Sequence, residues 1–201
     1  LFVFENEERV SFWMDDTGIP LDIAFIARDG TIRQIEAMEP FSKTTVVSRR
    51  YVRFALEVNR GWFAENGIGV GDVVTIQGTV NDDGTSPTAT RVTFDDAVEG
   101  PVQAIDTGAN TITVLGQLVR IDADTSFDDS ISPASIDGLA VADIVEVSGF
   151  VLADGSISAT RIELKPAGGE YEVTGIVSNL TATTFAINAL TVDFSAAQLD
   201  N

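Results

Sequence analysis

Val70 to Phe94, VGDVVTIQGTVNDDGTSPTATRVTF, returns later in the chain as Val141 to Leu164, VADIVEVSGFVLADGSISATRIEL. The copies share Asp72 with Asp143, Gly78 with Gly149, Gly84 with Gly155, and Ala89-Thr90-Arg91 with Ala159-Thr160-Arg161. One extra residue sits in the first turn. Self-similarity of this kind predicts a common supersecondary unit. Both copies consist of Gly, Thr and β-branched residues without helical periodicity, which predicts strands separated by Gly and Asp turns. Thr111–Val114, Leu118–Ile121, Ile144–Val147 and Ile157–Leu164 read as such strands. Gly100, Val102 and Thr111–Val114 are echoed by Gly175, Val177 and Thr184–Ile187, so a third copy begins near Glu170.

Upstream of the repeat the pattern differs. Val10, Phe12 and Met14 alternate with Ser11 and Trp13, a strand ending at Asp15, Asp16, Thr17 and Gly18. Ile19 to Ala27 is a denser apolar run. Asp29-Gly30, before Thr31–Ile35, predicts a hairpin with a type I′ turn, in which both central residues take positive φ. Phe41–Arg49 reads as a loop. Val52, Phe54, Leu56 and Val58 alternate with Arg53, Ala55 and Glu57, a half-buried strand with its charged face outward. Arg60–Asn66 suits a short helix stopped by Gly67 at its C-terminal cap.

The 201 residues suffice for two small domains, and 44% hydrophobic content is enough for a core. The net charge is −19, with 8 basic and 12 acidic residues in positions 1–76 against 4 and 19 in the remainder. Such a surface repels phosphate backbones, so nucleic acid and anionic membranes are excluded as partners of choice. The chain contains no Cys and no His, which removes thiolate chemistry, disulfides, His-based triads and the usual zinc sites. No cofactor is expected. No run of roughly 18 apolar residues spans a membrane. Leu1 opens directly into an apolar run, so the chain reads as a fragment whose targeting segment is absent.

MDDTGIPLDIAFI (Met14 to Ile26), the Asp29-Gly30 hairpin and RFALEVNRGWFAENGIGVGDVV (Arg53 to Val74) resemble the family DUF192, also called UPF0127. The resemblance covers residues 1–76 and lacks the family's N-terminal part. Asp15-Asp16-Thr17 stands where the family usually has Lys-Asn-Thr. It implies a compact α+β fold, often exported, without an established activity. The later pattern, G-x-V, T-[IF]-x-[VI], V-x-D-x-V-x-[VI]-x-G, D-G and A-T-R-[IV], resembles DUF5666, a repeated β module of exported bacterial proteins. That resemblance implies a five-stranded small barrel of OB-like outline. The expected fold is therefore mainly β: a truncated DUF192-like α+β domain (1–76), then a partial DUF5666-like unit (70–94), a complete one (98–165) and another partial one (170–201). The two partial units are expected to complete each other, because isolated halves would expose apolar strand edges.

Carboxylates are the abundant reactive groups. A glycosidase-type pair needs two of them about 5 to 10 Å apart across a cleft, and Asp22 with Glu57 is the candidate catalytic pair. Asp122, Asp124, Ser126 and Asp128 place oxygens at alternate positions like the opening of a calcium loop, making Asp122, Asp124 and Asp128 the candidate metal ligands. Phe127 occupies the loop's Gly position, and strand alternation explains the same spacing. Asn81-Asp82-Asp83-Gly84 and Ala153-Asp154-Gly155 are turn chemistry. Arg91 and Arg161 are expected to pair with Asp72 and Asp143. Trp13 and Trp62 serve packing or a stacking platform. Gly67, Gly69 and Gly71 precede no helix, which speaks against a dinucleotide site.

These readings favour a non-enzymatic exported protein, periplasmic or cell-surface, that binds an unknown protein or glycan or acts as a spacer. A carboxylate-based glycan hydrolase through Asp22 and Glu57 is the alternative. Single-strand nucleic-acid binding by an OB-like barrel is a third class, opposed by the charge. Weak divalent cation binding completes the partner classes.

Overall fold

The computed structural model describes residues 1–79, 88–94 and 96–197. The chain forms two compact units, Leu1–Asp95 and Asp96–Asn201. Strands account for 51% of the residues and helices for 4%, so the protein is mainly β as expected.

The N-terminal unit contains β1 (Phe2–Glu8), β2 (Ser11–Phe12), β3 (Leu21–Ile26), β4 (Ile32–Met38), β5 (Val46–Val47), β6 (Val52–Asn59), α1 (Trp62–Glu65), β7 (Val74–Thr79) and β8 (Thr88–Phe94). An antiparallel sheet of order β1-β6-β3-β4 forms its centre, accompanied by the ribbons β2–β5 and β7–β8. Ala24, Ile26 and Leu56 pack on one side with Phe63 and Ile68; Ile23, Phe25 and Ala55 pack on the other with Met14 and Met38. The charged face predicted for β6 is therefore not an open one. Ala55 is fully buried there, because Phe2, Phe4 and Phe12 lie over the same cluster. The segment 41–49 also differs from a plain loop, since Val46–Val47 pairs with Ser11–Phe12.

The Asp29-Gly30 hairpin forms with a different turn from the one expected. Gly30 has φ 93°, while Asp29 is not in the left-handed region. Gly30 N donates to Ala27 O and Ala27 N to Thr31 O, the pattern of a type I turn followed by a glycine bulge. Asp29 Oδ1 takes the Thr31 N–H at 3.0 Å. Asp154-Gly155 repeats this arrangement, with Gly155 N on Leu152 O and Ser156 N on Asp154 Oδ1. In both hairpins the Asp works through its side chain and needs no positive φ of its own.

The first repeat copy belongs to the N-terminal unit. Val74, Ile76, Ala89, Val92 and Phe94 pack into the cluster of Phe63 and Ile68. Ile32 N donates to Asp72 O and Val74 N to Gly30 O, which ties the start of β7 to the β3–β4 turn. The apolar face of β7–β8 is covered within its own unit. The turn Asn81–Gly84 lies outside the described residues.

The second unit contains β9 (Val98–Asp106), β10 (Thr111–Val114), β11 (Gln117–Arg120), β12 (Ser126–Phe127), β13 (Ile144–Val151), β14 (Ile157–Lys165), β15 (Glu172–Val173), β16 (Val177–Ser178), β17 (Thr184–Ile187) and β18 (Leu190–Asp193). The order β10-β11-β14-β13-β9, closed by the β9–β10 pairing, is a five-stranded barrel. Its β11–β14 pair is parallel and its other pairs antiparallel. Val98, Val114, Val119, Val145, Val147 and Ile162 fill the interior without exposure. β16-β17-β18 forms a separate three-stranded sheet, and β15 extends the barrel sheet beside β9. Gln117, 1% exposed, joins this last segment to the barrel. Its Nε2 donates to Ile187 O, and Asn188 Nδ2 donates to Gln117 Oε1 and to Gly155 O.

The shared residues of the repeat now have physical roles. A bulge interrupts β7–β8 at Gly78 and β13–β14 at Gly149. A Cβ at Gly78 would meet Thr88 O at 2.6 Å, and one at Gly149 would run into Ser158 O. Asp72 Oδ2 accepts the Gly69 N–H at 2.6 Å, and Asp143 Oδ2 accepts the Ala140 N–H at 2.7 Å. Each Asp thus closes a turn whose third residue is left-handed: Gly71 at φ 101° in one copy, Ala142 at φ 77° in the other. Alanine pays a steric penalty in that region. Ala142→Gly is expected to stabilise the second unit by about 0.5–1 kcal/mol, the left-handed strain less the entropy of glycine. A urea midpoint that falls, at unchanged m value, would contradict this.

Candidate functional site

Asp22 and Glu57 sit on adjacent strands, but Asp22 is registered with Val58 and Glu57 with Ile23. Cross-strand partners share a face and successive residues alternate, so the two carboxylates occupy opposite faces of the sheet. The structure does not bring together the pair a glycosidase would need. Asp22 is 8% exposed. Its Oδ2 accepts the Gly61 N–H at 2.7 Å and its Oδ1 pairs with Arg60 Nε at 3.2 Å. Arg60 also donates to Met38 O and reaches Glu39. Asp22 therefore clamps the β6–α1 connection, where Gly61 takes φ 87°.

Glu57 borders a cleft of about 790 Å³ together with Asn59, Trp62, Thr90 and Arg91. Burial pushes its carboxyl up. The indole of Trp62 is half-buried and meets Phe63 edge-on at 5.5 Å. Arg91 is exposed and makes no ion pair among the described residues. Asp72, the partner expected for Arg91, serves its own turn, where its Oδ2 accepts the Gly69 N–H. Trp13, 69% exposed, borders a smaller hollow of about 240 Å³ beside Met14 and Met38.

In the second unit, Asp122, Asp124 and Asp128 do not converge. Asp122 Oδ1 accepts the N–H groups of Asp124 and Thr125. Asp128 Oδ1 accepts from Ser130 N and Oγ, which together hold its carboxyl below the usual range, and its Oδ2 pairs with Arg161 at 3.6 Å. Ser126 and Phe127 lie between them as β12, paired with β14. Arg161 faces Asp128 and Glu163 and not the expected Asp143, whose carboxylate is at its turn. Arg120 joins Ser156 and Asp154, and the Ser156 hydrogen bonds with that guanidinium bring Asp154 down to about 2.

The structure assembles a different carboxylate group. Glu172 on β15 is registered with Glu99 on β9, Glu99 with Glu146 on β13, and Glu146 with Glu163 on β14. Four glutamates thus form one row across four strands, on a single face. Asp96 joins it: oxygens of Asp96, Glu99 and Glu146 lie within 4.8 Å of one another, near enough to share one hard cation. Glu146, 6% exposed, is already met by Lys165 Nζ at 2.6 Å, and Lys165 reaches Glu163 at 3.4 Å. Burial and the charges of Glu146, Glu172 and Glu163 push the Glu99 carboxyl up against the pull of Lys165. Like charges directly opposite are unfavourable in a sheet. The first repeat copy places Thr75 opposite Thr93 at the position of Glu146 and Glu163. That substitution was the one signal of the row in the sequence, readable only once the register is known.

No curated protein matches the chain. A crystal structure of a candidate transcription regulator from Sinorhizobium meliloti 1021 is similar at 40% identity over 34% of this chain and 54% of that one, with a TM-score of 0.33. The chain spans about half the length of that protein. Residues 1–76 match the family model DUF192, described as Uncharacterized ACR, COG1430, and residues 99–163 match that of DUF5666, a domain of unknown function, so the chain carries segments similar to two families.

Proposed function

We propose that the protein is a non-enzymatic exported binding protein: its N-terminal unit contacts a glycan at the Glu57–Arg91 cleft, and its barrel serves as a spacer. The observation that carries this reading is how the carboxylates are used. Asp22, Asp72, Asp122, Asp128, Asp143 and Asp154 each accept a backbone N–H. Carboxylates engaged in this way hold turns and are poorly placed to exchange protons with a substrate. The cleft instead offers a mixture suited to polyhydroxylated ligands: an indole, an amide, a threonine hydroxyl, a guanidinium and a half-buried carboxyl. Export rests on the resemblance of the repeat to modules of exported proteins. The hydrolase alternative lacks comparable support, because Asp22 and Glu57 stand on opposite faces. The carboxylate row opposes nucleic acid.

Titration with neutral and uronic-acid oligosaccharides, followed by amide chemical shifts, tests the reading. Shifts are expected at Asn59, Trp62 and Arg91, and Arg91→Ala is expected to weaken binding of the uronic series about tenfold, by loss of a charge-assisted hydrogen bond. Shifts confined to other surfaces, or the release of new reducing ends, would overturn it.

A further inference from the structure

In the N-terminal unit, the row Phe2, Ala55 and Phe25 occupies one face of the central sheet, and the neighbouring row occupies the other. Val3 on β1 stands opposite Phe54 on β6, and Phe54 opposite Ile26 on β3, so three apolar side chains line up on one face. The β7–β8 ribbon covers this row unevenly. Val74 and Ile76 pack in one cluster with Ile26 and Phe54, and the Val74 N–H on Gly30 O anchors the ribbon at the β3–β4 turn, at the Ile26 end of the row. Ile26 is 1% exposed, whereas Val3, two strands away, is 49% exposed. The gap leaves a cavity of about 450 Å³, bordered by Val3, Ile26, Phe54 and Ile76 and, at its polar rim, by Arg28 and Thr75. Apolar cavities of about 300–1,000 Å³ with a few polar groups are the usual seats of small molecules. Among the described residues, Leu1 alone borders both this cavity and the Glu57–Arg91 cleft.

The rim decides which molecule fits. The Arg28 side chain is exposed and makes no hydrogen bond or ion pair among the described residues. The acids beside it are already engaged. Glu7 Oε1 accepts the Arg28 backbone N–H at 3.1 Å, Asp29 Oδ1 accepts the Thr31 N–H, and Asp29 Oδ2 faces Arg33 at 3.7 Å. Arg53 places a second guanidinium 5.8 Å from the centre of the Phe54 ring. A guanidinium stays charged and offers a planar fork of donors that matches a carboxylate. An apolar trough with such a fork uncommitted at its rim is complementary to a hydrocarbon chain that ends in a carboxylate.

We propose that this cavity is a second binding site, which takes a medium-chain aliphatic carboxylate with its tail along Val3, Phe54 and Ile26 and its carboxylate on the Arg28 guanidinium. The site goes beyond the glycan cleft and needs none of its polar residues.

Titration of the full chain with hexanoate, octanoate and decanoate, followed by amide chemical shifts, tests the assignment. Shifts are expected at Ile26, Phe54 and Ile76, and each added methylene is expected to tighten binding about fourfold, the factor for burying one CH2 group. Arg28→Gln should weaken octanoate about tenfold, by loss of a charge-assisted hydrogen bond, and leave 1-octanol unchanged. Val3→Trp, at a half-exposed position, fills the cavity and should abolish binding of both. The Ala24 and Leu56 amides report whether the sheet stays folded in each variant. An Arg28→Gln chain that binds octanoate as the native chain does, one that loses octanoate and 1-octanol equally, or native shifts confined to the second unit would overturn the proposal. So would shifts of the same amides on dilution of the native chain without ligand, which would assign the cavity to a second copy.

Discussion

Phe25→Ala is expected to destabilise the N-terminal unit by about 3–5 kcal/mol, the range for truncating a fully buried aromatic ring. Phe25 has no exposure and lies on β3, the strand flanked by β6 and β4. Its ring stands 6.0 Å from that of Phe12, which in turn meets Phe2 edge-on at 4.8 Å. The cavity would open where backbone hydrogen bonds fix the strand on both sides, so the walls have little freedom to collapse. With typical domain stabilities of about 5–15 kcal/mol, a loss of this size approaches the whole margin. Urea unfolding followed by the amide signals of β3 and β6 measures it. A loss below about 1.5 kcal/mol, the range of volume-conserving swaps, would mean that this face of the sheet is loosely packed.

The difference between what the residues announced and what the fold required lies in the range of the interactions. Strand and turn positions were legible because they depend on local chemistry. Gly67 ends α1 at φ 68°, with Ile68 N returning to Phe63 O, as its spacing implied. The barrel was legible through the resemblance to DUF5666, and its strand positions through the repeated pattern. The covering of β6 on both faces was not, since it depends on Phe2, Phe4 and Phe12 arriving from distant positions. Arg161 illustrates the same limit: pairing it with Asp143 required Asp143 to leave its turn, whereas Asp128 and Glu163 lie beside Arg161 on β12's continuation and on β14. The glutamate row is the extreme case, because four residues from four strands coincide only through register, and a one-residue slip would send each to the other face.

That row also supplies the second large effect. Lys165→Met is expected to cost the second unit about 2–4 kcal/mol at neutral pH, because it leaves a buried carboxylate with no cation. Glu146 has a side chain only 7% exposed and faces Glu99 and Glu163 across its own sheet. Burial pulls the Lys165 ammonium down, but the hydrogen bond and charge of Glu146, with Glu163, outweigh it and raise its pKa above the ordinary value. The stability linked to that raised pKa is fully present below the ordinary lysine range and is lost only as pH rises through the raised value, so it is constant through neutrality. Adding Glu146→Gln should recover most of the loss at neutral pH, since the pair is then removed together and no charge stays buried. Urea midpoints of the native chain, the single variant and the double variant at neutral pH test both statements. A double variant no better than the single would show that Lys165 contributes through its aliphatic packing and that Glu146 reaches solvent.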